Sequence, residues 1–189
     1  MRTLFPSALT LILTFAATPA HADEDVYFTT KSVLKSFFKT SKKVTYVKID
    51  AKANRDELRR TLGYVPNKKT YAVFVAKTGE HIDGYALVDE EMGQHLPITF
   101  AVKFSPNGTV ERTEVMVYRE GYGDEIREER FRRQFVGKAT RDRFSLGDDI
   151  IAISGATISA KSMAIGVKRA VALVALARRE LGTVASTTP

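Results

Sequence analysis

The sequence of 189 residues contains no cysteine. This absence excludes disulfides, thiolate nucleophiles, iron–sulfur clusters, haem attached through a CxxCH motif and zinc sites with cysteine ligands. Histidine is also scarce, with three in the whole chain. His81 and His95 lie on separate strand-like segments without identifiable metal-binding neighbours. We therefore predict no metal site.

Three sequence patterns of hydrolase and nucleotide-binding sites are also missing. The chain has no GxSxG nucleophile elbow, no GxxxxGK[ST] phosphate loop and no GxGxxG dinucleotide fingerprint. Gly121 and Gly123 come nearest to the last of these, but no glycine follows three residues on. No pair of side chains is arranged as a catalytic acid and base, so we assign no catalytic residue.

The apolar run near the start of the chain, residues 4–17, is about 14 residues long. A membrane-spanning helix needs roughly 20. Arg2 precedes the run, and the small-residue sequence AHA, ending at Ala22, follows it. This layout predicts a secretory signal peptide, residues 1–22, cleaved after Ala22, and hence a periplasmic protein that does not span the membrane. A retained membrane anchor is the alternative.

Acidic residues are fewer than basic ones, 22 against 29, which gives a formal net charge of +7. Many basic residues alternate with acidic ones, as in REGYGDEIREERFRR. This mixture indicates a solvated surface, and we predict no nucleic-acid partner. An acidic docking partner remains open.

The mature chain, residues 23–189, is predicted to form a single α+β domain, because no repeat or Pro/Gly-rich linker divides it. Helical spacing is found in VYFTTKSVLKSFF, which includes Val26, in NRDELRRTLG, in DEIREERFRRQFVGK and from about Ser159 to Leu181. Strand patterns are found in KVTYVKI, YAVFVAK, HIDGYALV, PITFAVKF and TVERTEVMVY, with Asn107-Gly108 as a hairpin turn. We expect an antiparallel sheet with one packed face, flanked by helices that include a long C-terminal one.

Two of these helices carry more detailed predictions. The pairs expected to share a face of DEIREERFRRQFVGK are Phe131 with Phe135, Glu128 with Arg132, and Glu129 with Arg133. The buried stripe expected on the last helix consists of Met163, Val167, Ala170, Val171, Val174 and Leu181.

The hexapeptide SGATIS, residues 154–159, joins an apolar run to that last helix. Gly155 permits a close backbone approach, and the helix is expected to begin between Thr157 and Ser159. A helix start exposes free N–H groups and the positive end of the helix dipole, which suit a phosphate group. Serine and threonine are also ordinary helix N-caps. Spacing alone leaves both interpretations open.

ISGATIS resembles the flavinylation motif [ST]-G-A-[ST]-x-[ST] of the FMN-binding domain family. That family includes periplasmic subunits of Rnf and sodium-pumping NADH:quinone reductase complexes and a domain of the nitrous-oxide reductase regulatory protein. The resemblance extends upstream through VERTEVMVYREGYGDEIREERFRRQFVGK, with Gln134, Phe135 and Gly137 in the family's QF-x-G segment. It covers about residues 79–175 and implies that 23–189 is an FMN-binding domain with its core at about 70–182.

The resemblance implies FMN esterified through its phosphate to Thr157 by a flavin transferase. The other cofactor-binding residues assigned on this basis are Ser154, Gly155, Ala156, Ile158, Ser159, Glu120 and Tyr122. Tyr118 and Tyr122 are candidates to cover the flavin ring. The chain departs from the family at Ile151, where an acidic residue is frequent, although Asp148 and Asp149 lie just before it.

The implied function is that of an exported electron carrier rather than an enzyme, working between a membrane reductase or cytochrome and a periplasmic acceptor. A redox-sensing flavin module is one alternative. A periplasmic binding protein without flavin, in which SGATIS is only a helix cap, is another.

Overall fold

The computed structural model describes residues 24–186, so the predicted signal peptide lies outside the described residues. The helices are α1 Thr30–Phe37, α2 Arg55–Leu62, α3 Glu129–Arg132 and α4 Thr157–Ser186. The strands are β1 Asp25–Val26, β2 Lys43–Asp50, β3 Thr70–Thr78, β4 His81–Met92, β5 Pro97–Phe104 and β6 Val110–Tyr118. Two 3₁₀ segments, Asp124–Arg127 and Arg133–Phe135, flank α3.

The strands form one antiparallel sheet in the order β1-β6-β5-β4-β3-β2. Strands β2 to β6 are a meander in which each strand pairs with the next, and β1 pairs with β6 at the far edge. Gly108, with a φ of +85°, lies in the turn between β5 and β6, as the Asn-Gly pair predicts. The predicted α+β class is confirmed. Val26, expected in the first helix, lies instead in β1.

Helix α4 packs across one face of the sheet. It contacts β2, β3, β4, β5 and α2, and its predicted stripe is buried except for the half-buried Leu181. The alternating residues of β5 fill the opposite side of this core, from Ile98 to Phe104. No helix within residues 24–186 is long and apolar enough to cross a membrane.

Gly166 lets α4 approach the sheet closely. A Cβ atom built at this position would lie 2.5 Å from the ring of the fully buried Phe100. Real side chains do not approach this closely, so even a methyl group would force the helix or the ring to move.

Gly166→Ala is therefore expected to lower the free energy of unfolding by about 1–2 kcal/mol, because overpacking outweighs the gain in helix propensity. Gly182→Ala is the matched control, since a Cβ at Gly182 would meet no atom within 4 Å. It is expected to raise stability by up to about 1 kcal/mol. Urea unfolding of both variants checks the prediction, and equal effects would contradict the close approach.

Helix α1 packs on the opposite face of the sheet, so both faces are covered rather than the single face expected. Its buried residues Val33 and Phe37, with the following Phe38, form a second core against small side chains of the sheet. These sheet residues include Ala76, Ala86 and Ala101. Alanine on neighbouring strands leaves room for the phenylalanine rings, and this explains why a short helix is held here.

The predicted continuous helix between Asp124 and Phe135 is wrong: the segment divides into two 3₁₀ turns and the single turn of α3. Glu128 has extended backbone angles at the first break. Arg132 contacts the buried carboxylate of Glu114 on β6 rather than Glu128, because a buried charge requires a partner. The predicted Glu129–Arg133 pair is present at 3.9 Å, and the buried rings of Phe131 and Phe135 lie 5.4 Å apart.

Candidate functional site

The segment before α4 leaves the core abruptly. Ile150 is fully buried, whereas Ile151 is 74% exposed. Ser154 and Gly155 then form a turn, in which Gly155 has a φ of +86° that favours glycine. Helix α4 begins at Thr157, whose side chain is exposed.

No side chain in the described part of the chain caps the start of α4. Ala156, which precedes the helix, has no hydroxyl group, and its carbonyl accepts the first helical bond from the Ala160 N–H at 2.8 Å. Among the described residues, the backbone N–H groups of Thr157, Ile158 and Ser159 have no acceptor. Three unsatisfied donors at the positive end of a 30-residue helix are suited to an anion.

Thr157 lines a cleft of about 590 Å³. Three basic side chains, Arg143, Lys161 and Lys168, also line it, together with aromatic side chains from other parts of the chain, Tyr64 and Phe144. Arg143 forms an ion pair with Asp148 at 2.9 Å, whereas the two lysines have no ion-pair partner in the part of the chain that the structure describes. The cleft beside Thr157 is therefore positively charged.

Asp149 organises the loop that brings Arg143 and Phe144 to this cleft. Its carboxylate accepts hydrogen bonds from Lys138 Nζ at 2.9 Å and from the backbone N–H groups of Phe144 at 3.1 Å and Ser145 at 2.7 Å. Although partial burial opposes ionisation, these donors lower the pKa of Asp149 to about 2. Phe144 has a φ of +56°, a strained value for a non-glycine residue.

Asp149→Asn is expected to cost about 1–2 kcal/mol of unfolding free energy at neutral pH, because the side chain loses its ion pair and charge-assisted bonds. The folded-state pKa of Asp149 is lowered from 3.8, so this stabilisation is complete above about pH 4 and is lost as pH falls towards 2. Urea unfolding at several pH values should show the two proteins converging in acid. Asp148→Asn, which removes an exposed ion pair, is the control and should change stability by less than about 0.5 kcal/mol.

A second cleft, of about 570 Å³, lies on the Ser154 side of the turn and is lined by Phe131, Gln134 and the 151–154 segment. Gln134 holds this segment with two hydrogen bonds. Its Nε2 donates to the Ile151 carbonyl at 3.0 Å, and its Oε1 accepts from the Ile151 N–H at 2.7 Å. The upstream QF-x-G segment therefore positions the backbone that leads into the SGATIS turn.

Glu125 is a residue of this region that sequence reasoning missed. Its Oε2 is buried and has no hydrogen-bond partner between residues 24 and 186, and its Oε1 would lie 3.5 Å from a Cβ atom at Gly155. The structure thus brings a carboxylate beside the turn from a distant part of the chain, whereas position 151 carries isoleucine. Nothing in the sequence around Glu125, within DEIREE, distinguishes it from its acidic neighbours.

Tyr118 and Ser159 form a buried pair beneath the turn. The Tyr118 hydroxyl donates to the Tyr122 carbonyl and shares a hydrogen bond of 2.9 Å with Ser159 Oγ. Burial raises the pKa of Tyr118, opposed by its bond to Ser159. Tyr118 therefore packs in the core, whereas Tyr122 is 89% exposed.

Glu120 has a different environment from the other predicted site residues. Its carboxylate accepts hydrogen bonds from the backbone N–H groups of His95 and of Leu96, the latter at 3.0 Å, and so closes the turn between β4 and β5. The residues that the structure brings together at the start of α4 are Ser154, Gly155, Ala156, Thr157, Ile158 and Ser159. Tyr122 is linked to them through Tyr118. Contacts of all these residues with a flavin stay predictions.

Comparison with known proteins gives one family match. Residues 93–172 match the family model of the FMN-binding domain, a region that runs from the β4–β5 turn into α4 and contains every predicted site residue. The predicted resemblance to this family is thus confirmed. Among solved structures, the chain is similar to NqrC from Shewanella oneidensis, with 19% identity, a TM-score of 0.45 and coverage of 73% of this chain and 80% of that one. No curated protein matches the chain.

Proposed function

We propose that the FMN-binding domain of this chain carries FMN covalently, through a phosphoester to the hydroxyl of Thr157, and that the protein is an exported electron carrier. Its donor would be a membrane reductase or cytochrome, and its acceptor a periplasmic protein. One observation carries the proposal: an exposed threonine begins an uncapped helix within the region matched to the FMN-binding domain.

The start of α4 suits a phosphoester, which keeps a negative charge after attachment. The free N–H groups of residues 157–159 point along the helix axis, where the dipole also favours an anion. Lys161 lies one turn further along the helix, and Arg143 faces the same cleft. Both cations would stabilise the attached phosphate, and Lys161 has no competing ion pair among the described residues.

The cleft beside Thr157 also fits the flavin ring. Its volume of about 590 Å³ is within the range of roughly 300–1,000 Å³ typical of cofactor sites. Tyr64 and Phe144 line the cleft, and the exposed Tyr122 offers a further aromatic ring. The flavin, when bound, supplies the one- and two-electron redox chemistry, and the protein orients it and controls access to it.

Covalent attachment through a hydroxyl is consistent with the rest of the sequence. The chain has no cysteine through which a flavin could be linked. Outside the cytoplasm, where free FMN is scarce, a cofactor that dissociates would be lost. A tethered flavin on an open cleft can still approach an electron donor and acceptor.

The proposal is tested with protein that is exported in the presence of a flavin transferase. We expect its intact mass to increase by that of FMN less one water, and we expect flavin absorbance to stay with the denatured chain. Membrane electron donors should then reduce the flavin, and an added acceptor should reoxidise it. An unmodified mass would contradict the attachment. Reduction without onward transfer would contradict the carrier role alone.

A further inference from the structure

The excess positive charge of the chain is concentrated in one short segment. Residues 31–52 contain seven lysines and one acidic residue, Asp50, a balance of six positive charges against +7 for the whole chain. The seven are Lys31, Lys35, Lys39, Lys42, Lys43, Lys48 and Lys52. All of them except Lys43 define the lysine face, because Lys43 shares its side of β2 with Ile49, which packs beneath α4. The lysines of this face come from α1, the α1–β2 loop and the edge strand β2 with the turn after it.

The lysine face is not neutralised within the protein. All six side chains are exposed, and none forms an ion pair with any residue between 24 and 186. The Asp50 carboxylate accepts hydrogen bonds from the backbone N–H groups of Ala53 and Lys52 rather than pairing with a lysine side chain. These bonds hold the pKa of Asp50 below its usual value.

An apolar strip lies on the same side of the molecule. Helix α1 leaves the sheet uncovered towards β2, where Tyr46 is 56% exposed and packs its ring edge-on against Phe74 at 6.4 Å. Val44, two residues earlier on β2, is also exposed. Lys48 is on the same face of the strand, because side chains alternate along it. Tyrosine, with an apolar ring and a polar tip, is enriched at membrane interfaces.

We propose that the lysine face binds the surface of an anionic lipid bilayer. The lysines are spread over a helix, a loop and a strand, and none of them lines any of the clefts described above. An extended array of long, flexible cations suits the diffuse negative charge of lipid headgroups, and Tyr46 can enter the headgroup region.

This orientation places the candidate attachment site on the side away from the lipid. Helices α1 and α4 pack on opposite faces of the sheet, so a bilayer beneath α1 and β2 leaves α4 turned towards soluble partners. The inference does not depend on flavin attachment, since the lysine face and Thr157 are on different surfaces.

Vesicle co-sedimentation of the protein recovered after export tests the proposal. We expect binding to phosphatidylcholine vesicles that contain phosphatidylglycerol, at least about tenfold weaker binding to phosphatidylcholine alone, and loss of binding at high salt. The combined substitutions Lys35→Glu, Lys39→Glu and Lys48→Glu should weaken binding by about tenfold or more. The matched control is Arg59→Glu, Arg133→Glu and Arg141→Glu, an equal change in charge at exposed residues elsewhere, which should retain binding.

A tryptophan reporter tests the orientation without removing any charge, because the chain has no tryptophan of its own. Tyr46→Trp should show a blue-shifted emission and quenching by brominated lipids when anionic vesicles are added. Ile151→Trp, on the exposed turn before α4, should show neither. Both reporters carry Thr157→Ala, so that no attached flavin quenches them.

Four results would overturn the proposal. They are equal binding to neutral and anionic vesicles, equal loss in the two charge-reversal variants, no spectral change at Tyr46→Trp, and binding to polyglutamate without binding to vesicles. The last result would assign the lysine face to an acidic protein partner instead.

Discussion

Thr157→Ala is expected to abolish covalent flavin attachment, so that the exported protein has its unmodified mass even when a flavin transferase is present. The substitution removes the hydroxyl that would form the phosphoester and leaves the backbone of α4 intact, because alanine is the best helix former. Intact mass spectrometry and flavin fluorescence of the denatured protein measure the result. Thermal unfolding should stay close to that of the unmodified wild-type chain.

Two controls separate the attachment from the shape of the turn. Thr157→Ser keeps a hydroxyl at the same helix position and should retain flavin. Ser154→Ala removes the exposed hydroxyl at the start of the motif and should also retain flavin, because Thr157 is unchanged. Ser159 is not expected to replace Thr157, since its hydroxyl is buried and bonded to Tyr118. Flavin that stays covalently bound to the Thr157→Ala protein would contradict the assignment of Thr157 as the attachment residue.

Arg169→Ala is expected to lower the free energy of unfolding by about 3–5 kcal/mol, the typical result of removing one partner of a buried ion pair. Arg169 lies in the middle of α4 and is 6% exposed. Its guanidinium donates to Asp89 Oδ2 at 2.8 Å, to the Glu90 carbonyl at 2.8 Å and to the Glu91 carboxylate. Although burial opposes its charge, Asp89 and Glu91 raise the pKa of Arg169.

The loss would come mainly from the carboxylate that is left behind. Asp89 is also buried, and its remaining cation, Lys68, is 3.4 Å away and largely exposed. Adding Asp89→Asn to Arg169→Ala should therefore restore part of the stability, because it removes the uncompensated charge of the buried Asp89 carboxylate. Lys168→Ala, at the neighbouring position without an ion pair in the described part of the chain, is the control. A comparable loss there in urea unfolding would contradict this explanation.

The sequence by itself determined the class of fold and most of its elements, because the signals are local. Strict alternation in PITFAVKF predicts one buried face of a strand, and the alternating residues Ile98, Phe100, Val102 and Phe104 are buried as expected. Gly63 and Gly108 adopt the positive φ values that end α2 and turn the β5–β6 hairpin. The resemblance to the FMN-binding domain family was recognised from SGATIS and the upstream QF-x-G segment, again from residues close together in the chain.

Only the tertiary structure decided how polar groups from distant segments are satisfied. Helical periodicity in DEIREERFRRQFVGK predicts a continuous helix. In the structure, Arg132 forms an ion pair with Glu114 and the segment divides into short turns. The hydroxyl residues of SGATIS predict an N-cap equally well, yet Ala156 precedes α4 and leaves its N–H groups free. The basic cleft joins Tyr64, Arg143 and Lys161, which meet because burying the apolar side of α4 against the sheet carries the surrounding loops with it. A carboxylate or an N–H group finds its partner only after that core has formed, and no local sequence pattern records the outcome.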